Sequence, residues 1–254
     1  MGVHIRGLPF LIGANFILTI FVIYSAMENW YHHPSIWLAA MCITAYLLGS
    51  IPSSVWIGKR FYGKDVRDYG SGNAGATNTF RVLGKTAGTV VLIIDILKGY
   101  FATSIVYFGH FNPHWNYGEY QHVNIMLGLG FCAVIGHLIP VFAQFKGGKG
   151  IATLGGLLFA LNYQVACIAL GIFLITLFVT RFVSLGSILA GISIPMLFVR
   201  FFGAQMPEYR QPSVVIFTVL IAVLVVYTHR KNIIRLLQGN ENKAKLLPKH
   251  RRIQ

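Results

Sequence analysis

The sequence predicts an all-α, polytopic integral membrane helix bundle. Three observations carry this reading: 55% of the 254 residues are hydrophobic and only 11% charged, mean hydropathy is +0.63, and eight apolar stretches fill most of the chain. A soluble domain carries about 25% charged residues, and a disordered chain requires low hydrophobicity. At ~20 apolar residues per pass, no length remains for a soluble catalytic domain. Any chemistry has to be built from loops and helix ends at the membrane surface.

The apolar stretches run 8–26, 37–58, 87–107, 123–145, 151–161, 163–180, 182–202 and 213–228. The first follows Arg6 and ends in Tyr24, Ser25 and Ala26, which imitates a signal peptide. Its run is longer than an h-region of about 7–15 residues, so it reads as a retained span. Within the third, Asp95 and Lys98 stand three apart and can pair. Each charge at mid-bilayer costs about 2.5–3.5 kcal/mol, so the pair is expected to serve helix packing or catalysis. The fifth stretch is short and glycine-rich, which suits a re-entrant or strongly tilted segment. In the seventh, Ser184 and Ser187 lie beside Arg181, where small-residue packing accounts for them. Cys42, Cys132 and Cys167 all sit in apolar stretches without metal-ligand spacing and read as small hydrophobes.

Sidedness follows from Lys and Arg. The 59–86 loop holds Lys59, Arg60, Lys64, Arg67, Arg81 and Lys85, whereas 27–36 and 108–122 hold none. The positive-inside rule makes the first cytoplasmic and the other two external. Alternation then places Lys146, Lys149, Arg181 and the tail from His229 inside, with 203–212 outside. On this topology all but Lys98, Arg200 and Arg210 of the 21 cations are cytoplasmic. The outer loops are rich in aromatics and histidine, among them Trp30, His32, His33, His114 and Trp115, as interfacial belts are.

Three cytoplasmic clusters carry the chemistry. In YGSGNAGATNTFRVLGKTAG, Gly70, Gly72 and Gly75 satisfy G-x-G-x-x-G. A membrane span precedes them where a dinucleotide fold needs a strand, so that match is accidental. Gly84, Lys85 and Thr86 resemble a Walker end, but Thr79 occupies the place of the first glycine. What remains is local physics. Glycines let several N–H groups converge on one anion, Ser71, Asn73, Thr77 and Asn78 add neutral donors, and Arg81 offers a planar fork. A flexible linker would not need so dense a run of donors.

The second cluster, FKGGKGIAT, sets Lys146 and Lys149 around Gly147 and Gly148, with Gly150 where the next helix starts. Free N–H groups and the positive helix end meet two ammonium charges there, a second anion site by the same logic. The third follows the last span: His229, Arg230, Lys231, Asn232, Arg235 and Glu241. His229 and Asn232, three apart, share a face if the helix continues, so an imidazole and an amide can address one ligand. Residues 243–252 read as a basic tail touching anionic lipid.

LLGSIPSSVWIGKRF with DVRDYGSGNAGATNTFRVLGKTAG, then GHLIPVFAQFKGGKGIAT, then THRKNIIRLLQGNENK resemble the three motifs of the PlsY family of acyl-phosphate:glycerol-3-phosphate acyltransferases, from about Ala45 to Lys243. The resemblance implies a seven-helix protein of the bacterial inner membrane with its site facing the cytoplasm. It also implies transfer of an acyl chain from acyl phosphate to glycerol 3-phosphate, giving lysophosphatidic acid and inorganic phosphate. Under it, Ser71 and Arg81, the Gly147, Gly148 and Lys149 run, and His229, Asn232 and Glu241 are functional positions. In the family the second motif is associated with glycerol 3-phosphate, and Ser184, with Ser187 as its alternative, lines the site; the anion-site logic of the first two clusters adds Gly72, Gly75 and Lys146 as candidate substrate-binding residues. The chain divides into an N-terminal extension, 1–36, adding a span the family usually lacks, an acyltransferase domain, 37–243, and a basic tail, 244–254.

Acyl phosphate is already an activated anhydride, so the expected reaction uses no metal, no cofactor and no covalent enzyme intermediate, and the basic charge serves phosphate and lipid rather than nucleic acid. The proton acceptor is open between His229 and a substrate phosphate oxygen. A transporter of organic phosphates is the main rival, and it requires binding residues near mid-membrane and repeated halves. The clusters here lie at one surface, and no repeat is visible.

Overall fold

The computed structural model describes residues 34–111, 119–202 and 207–244. The span expected at 8–26, Trp30 to His33, His114 and Trp115, and the tail from 245 lie outside the described residues. Among the described residues every regular element is helical: α1 Pro34–Gly49, α2 Ser53–Tyr62, α3 Ala76–Val82, α4 Lys85–Ser104, α5 Glu119–Leu138, α6 Ile151–Leu161, α7 Tyr163–Thr180, α8 Val183–Met196, α9 Pro212–Thr228 and α10 Arg230–Leu237. Five stretches are long and apolar enough to cross a membrane, or six if α9 and α10, bent by 58°, count as one.

The expected 37–58 span is present as one candidate crossing, Pro34–Tyr62, interrupted inside because Pro52 has no N–H to continue α1. The carbonyl of Ile51 freed by that break accepts from Lys98 Nζ at 3.0 Å. The helix expected to run on past Thr228 instead breaks at His229, whose φ of −99° and ψ of 6° leave the helical region. The 58° bend turns α10 away from α9.

Helices approach closely where a glycine removes the side chain. A Cβ on Gly99 of α4 would fall 2.0 Å from the Thr153 carbonyl of α6, and one on Gly156 of α6 would fall 1.9 Å from Ile96 O. Gly49 and Gly136 bring α1 against α5 in the same way. In a bilayer, where lipid is as apolar as leucine, such close contact is what joins helices. The interior is filled by Leu127, Leu129, Leu157, Val165, Ile194, Phe198 and Val214, all nearly or fully inaccessible. Outward, Ile43, Phe101, Ile175, Phe178, Val179, Ile192, Ile216 and Val223 form an exposed apolar surface of the kind hydrocarbon covers.

The short apolar stretch is α6, eleven residues long. At 1.5 Å per residue it spans about 16 Å, against ~30 Å of hydrocarbon. Gly150, at φ 78°, turns the chain into its first residue. At its other end Asn162 accepts from Val165 N at 3.0 Å to cap α7, and the Leu161 carbonyl accepts from Tyr209 Oη at 2.9 Å.

Candidate active site

The first loop is folded by its own polar groups. Asp65 accepts from Arg67 Nε at 2.9 Å and Nη2 at 2.7 Å. That guanidinium fork holds the Asp65 carboxyl well below the usual carboxylate range. The remaining arm, Arg67 Nη1, donates to Ala143 O at 2.9 Å and so fastens the first loop to the second. Asn78 is buried and committed to this loop. Its Nδ2 donates to Val66 O at 2.7 Å and Tyr69 O at 3.1 Å, while its Oδ1 accepts from Ser71 N at 2.9 Å. Among the candidate donors of this loop, Asn78 shapes the cradle rather than presenting itself to a ligand.

Ser71, Thr77 and Arg81 are exposed, Asn73 is half-buried, and Gly75 opens α3, on which Arg81 sits. Arg81 makes no hydrogen bond or ion pair among the described residues, so its fork is free for an anion. Gly72 lines an open cavity of about 460 Å³ together with Lys146, Gly147, Arg67, Asp68 and Gln144.

The second loop is pressed flat against the end of α5. Gly148 N donates to His137 O at 3.1 Å. A Cβ on Gly148 would fall 2.2 Å from His137 Nε2 and 2.9 Å from Ala74 O of the first loop, and one on Gly147 would fall 2.0 Å from His137 O. No side chain fits at either position. The turn delivers its two lysines differently. Lys146 is exposed, whereas Lys149 reaches inward and donates to Asn232 Oδ1.

From Asn232 the bonding continues. Its Nδ2 donates to Glu241 Oε1 at 2.8 Å; Ser184 Oγ donates to the same oxygen at 3.1 Å, and Arg235 Nε donates to Glu241 Oε2 at 2.8 Å. Burial pushes the Glu241 carboxyl up, but the Arg235 and Asn232 hydrogen bonds outweigh it and hold the group below its usual range. Ser187, by contrast, turns back on Val183 O at 2.9 Å and takes no part. Burial pulls the Lys149 ammonium down to about 8; Glu241 opposes this, and Arg235 and Arg81 reinforce it.

His229 is buried at the break between α9 and α10. Its Nδ1 lies 2.8 Å from Val225 O. A carbonyl only accepts, so Nδ1 carries the proton and Nε2 keeps its lone pair. Arg235 was read from sequence as a member of the third cluster but given no role; Ser53, His137 and Thr153 were not among the candidate site residues. Arg235 had a legible signal, standing three residues after Asn232 on a short basic helix. Among the described residues no three His, Cys, Asp or Glu side chains gather to hold a metal ion.

The arrangement is a basic, glycine-floored site with one uncommitted guanidinium, one inward ammonium and an imidazole acceptor, suited to phosphate esters and a hydroxyl. Comparison with known proteins agrees. The family pattern described as glycerol-3-phosphate acyltransferase matches residues 39–239. A glycerol-3-phosphate acyltransferase of Chlorobium phaeobacteroides is 41% identical over 227 residues, covering 82% of this chain and 97% of that protein. One from Chlorobaculum tepidum is 42% identical over 221 residues, covering 80% and 95%. Among solved structures, PlsY (YgiH), an integral membrane glycerol 3-phosphate acyltransferase, in its glycerol 3-phosphate form aligns with a TM-score of 0.70 at 37% identity, over 82% of this chain and 95% of that one. Its lysophosphatidic acid form gives 0.66 at 36% identity, over 81% and 94%.

Proposed function

This chain belongs to the glycerol-3-phosphate acyltransferase family, and from that premise we propose that it moves a fatty acyl group from acyl phosphate to the 1-hydroxyl of glycerol 3-phosphate. The reaction is a step of phospholipid synthesis. One observation carries the reading: Lys149, Asn232, Glu241 and Ser184 form a continuous bonded chain, and the loop that carries Lys149 packs on the first loop at Gly148 and Ala74, so the three clusters make one site.

In this reading Lys149 and the N–H group of Gly147 hold the phosphate of glycerol 3-phosphate, while the Gly148 N–H, bonded to His137 O, fixes the turn. Arg81, with Ser71, Gly72, Asn73 and Thr77, holds the phosphate of the acyl donor, whose tail lies in the surrounding lipid. The 1-hydroxyl oxygen attacks the acyl carbon, an ester C–O bond forms, the bond from that carbon to the phosphate oxygen breaks, and inorganic phosphate leaves. His229 Nε2 takes the hydroxyl proton. The cationic groups stabilise charge developing on the carbonyl oxygen and the departing phosphate, and holding both substrates in one orientation supplies the remainder.

The one-sided distribution of Lys and Arg supports a cytoplasm-facing site in the bacterial inner membrane. The family match begins at residue 39, which supports reading 1–36 as an extension to an acyltransferase domain of 37–243, with 244–254 as a basic tail. The assay gives purified protein acyl phosphate and labelled glycerol 3-phosphate without metal, acyl-CoA or acyl carrier protein. Lysophosphatidic acid and an equal amount of phosphate are expected. Product from acyl-CoA alone would overturn the donor assignment.

Arg81→Lys should lower kcat/KM for acyl phosphate by about 10- to 100-fold, because an ammonium cannot reproduce the paired donors of the planar fork, a loss of about 1.5–3 kcal/mol. Steady-state kinetics with glycerol 3-phosphate saturating will check this. Wild-type values would remove Arg81 from the donor site.

A further inference from the structure

Beneath the site lies a buried ionic cluster that the reaction above does not use. Asp95 of α4 accepts from Ser53 Oγ of α2 at 2.7 Å and pairs with Lys98 Nζ at 2.9 Å, both at Oδ1. Lys98 Nζ also donates to Ile51 O at 3.0 Å, in the break between α1 and α2. His137 of α5 brings its Nδ1 to 3.2 Å from Thr153 Oγ1 of α6 and 3.7 Å from the same Asp95 oxygen. All five side chains are more than nine-tenths buried.

A cluster kept only to hold helices together is a poor bargain. Two charges in the membrane interior are costly, and apolar residues of similar size often serve stability equally well. This one also leaves Asp95 Oδ2 buried without a hydrogen-bond partner among the described residues. What it does accomplish is to back the His137 ring, whose Nδ1 is hydrogen-bonded to Thr153 while the Asp95 carboxylate stands behind it at 3.7 Å, beyond hydrogen-bond reach. One edge of that ring faces Asp95 and Thr153; the opposite nitrogen, Nε2, faces Gly148, where even a methyl group would approach to 2.2 Å. The ring is the floor on which the Gly147 and Gly148 turn rests, and that turn aims Lys149 at Asn232.

We infer that Asp95, Lys98 and His137 are positioning residues for the second glycine loop: the buried pair backs the imidazole, the imidazole supports the turn, and the turn sets the place of the phosphate that Lys149 holds. The inference rests on the proposed function, in which that phosphate belongs to glycerol 3-phosphate. The signature is therefore selective. Loosening the floor displaces one of two substrate sites.

The test compares wild type with Asp95→Leu/Lys98→Met, which removes both charges together and so leaves neither buried alone. Thr153→Val and Thr153→Ser form a second, milder pair. The double variant is expected to raise KM for glycerol 3-phosphate about tenfold with KM for acyl phosphate changed less than twofold. Thr153→Val should shift in the same direction, and Thr153→Ser, which keeps the hydroxyl, should restore the wild-type value. Equal changes in both KM values, or unchanged kinetics in a folded variant, would overturn the inference. If the double variant fails to fold, the valine and serine pair decides by the same criterion. Wild type assayed in parallel separates the two levels, since an inactive wild type defeats the proposed reaction itself.

Discussion

Lys149→Met should cut kcat/KM for glycerol 3-phosphate by about 10²–10³-fold, the largest loss expected from a single side chain in the phosphate sites. The basis is the loss of one charge-assisted donor from a partly desolvated site, about 2.7–4 kcal/mol in comparable cases. The neighbouring Lys146, exposed on the same loop, provides the contrast. Lys146→Met should cost less than tenfold, because its charge is solvated and screened. The ammonium of Lys149 is pulled down to about 8, which adds a pH signature. Below that value the group is charged and binds phosphate; above it the charge is lost, so kcat/KM should fall as pH rises through about 8. Lys149→Arg, with a guanidinium that stays protonated, should abolish this limb even if its absolute rate is lower. A profile unchanged by the arginine would assign the limb to another group.

His229→Gln should lower kcat by about 10²–10⁴-fold with little change in either KM, the usual range for loss of a positioned general base. The Val225 carbonyl fixes the ring with Nδ1 as donor, so the lone pair on Nε2 is available to the attacking hydroxyl in the ground state. Glutamine can accept a hydrogen bond there but cannot carry the proton away. A variant that keeps most of its kcat would transfer the proton to a substrate phosphate oxygen and leave His229 an orienting role.

The sequence was most informative where a single physical variable decides the outcome. Apolar run length located α4, α7 and α9 to within three residues and α5 and α8 to within about seven, and the shortness of α6 was visible in its eleven-residue span. Glycines interleaved with cations marked all three clusters. The Asp95–Lys98 pair was legible from its spacing on one helix, but pairing between distant segments was not. Lys149 and Lys146 look alike in FKGGKG, and only the fold, by bringing a side chain 83 residues away to one of them, tells them apart. Asn78 reads as one more donor in a polar run, yet the curl of its own loop consumes both of its N–H donors and one acceptor site of its Oδ1. Glu241 lies beyond the last helix, and its place at the centre of the third cluster comes from the bend at His229, which periodicity had smoothed into a straight continuation. Pro52 did carry a local signal for the break in the second span, but the hydropathy of the run masked it.

The eleven-residue helix α6 also says something about the order in which this protein can be made. A helix that stops partway through a bilayer presents carbonyls that lipid cannot satisfy, each at a cost of several kcal/mol. The carbonyl of Leu161 finds its partner in Tyr209, 48 residues further along the chain. During synthesis α6 emerges first and waits for that hydroxyl. The second glycine loop rests on α5 and the first loop, both made before it. The Lys149 it carries, however, meets Asn232 only when α10 has been translated, so the site cannot be complete before that helix exists.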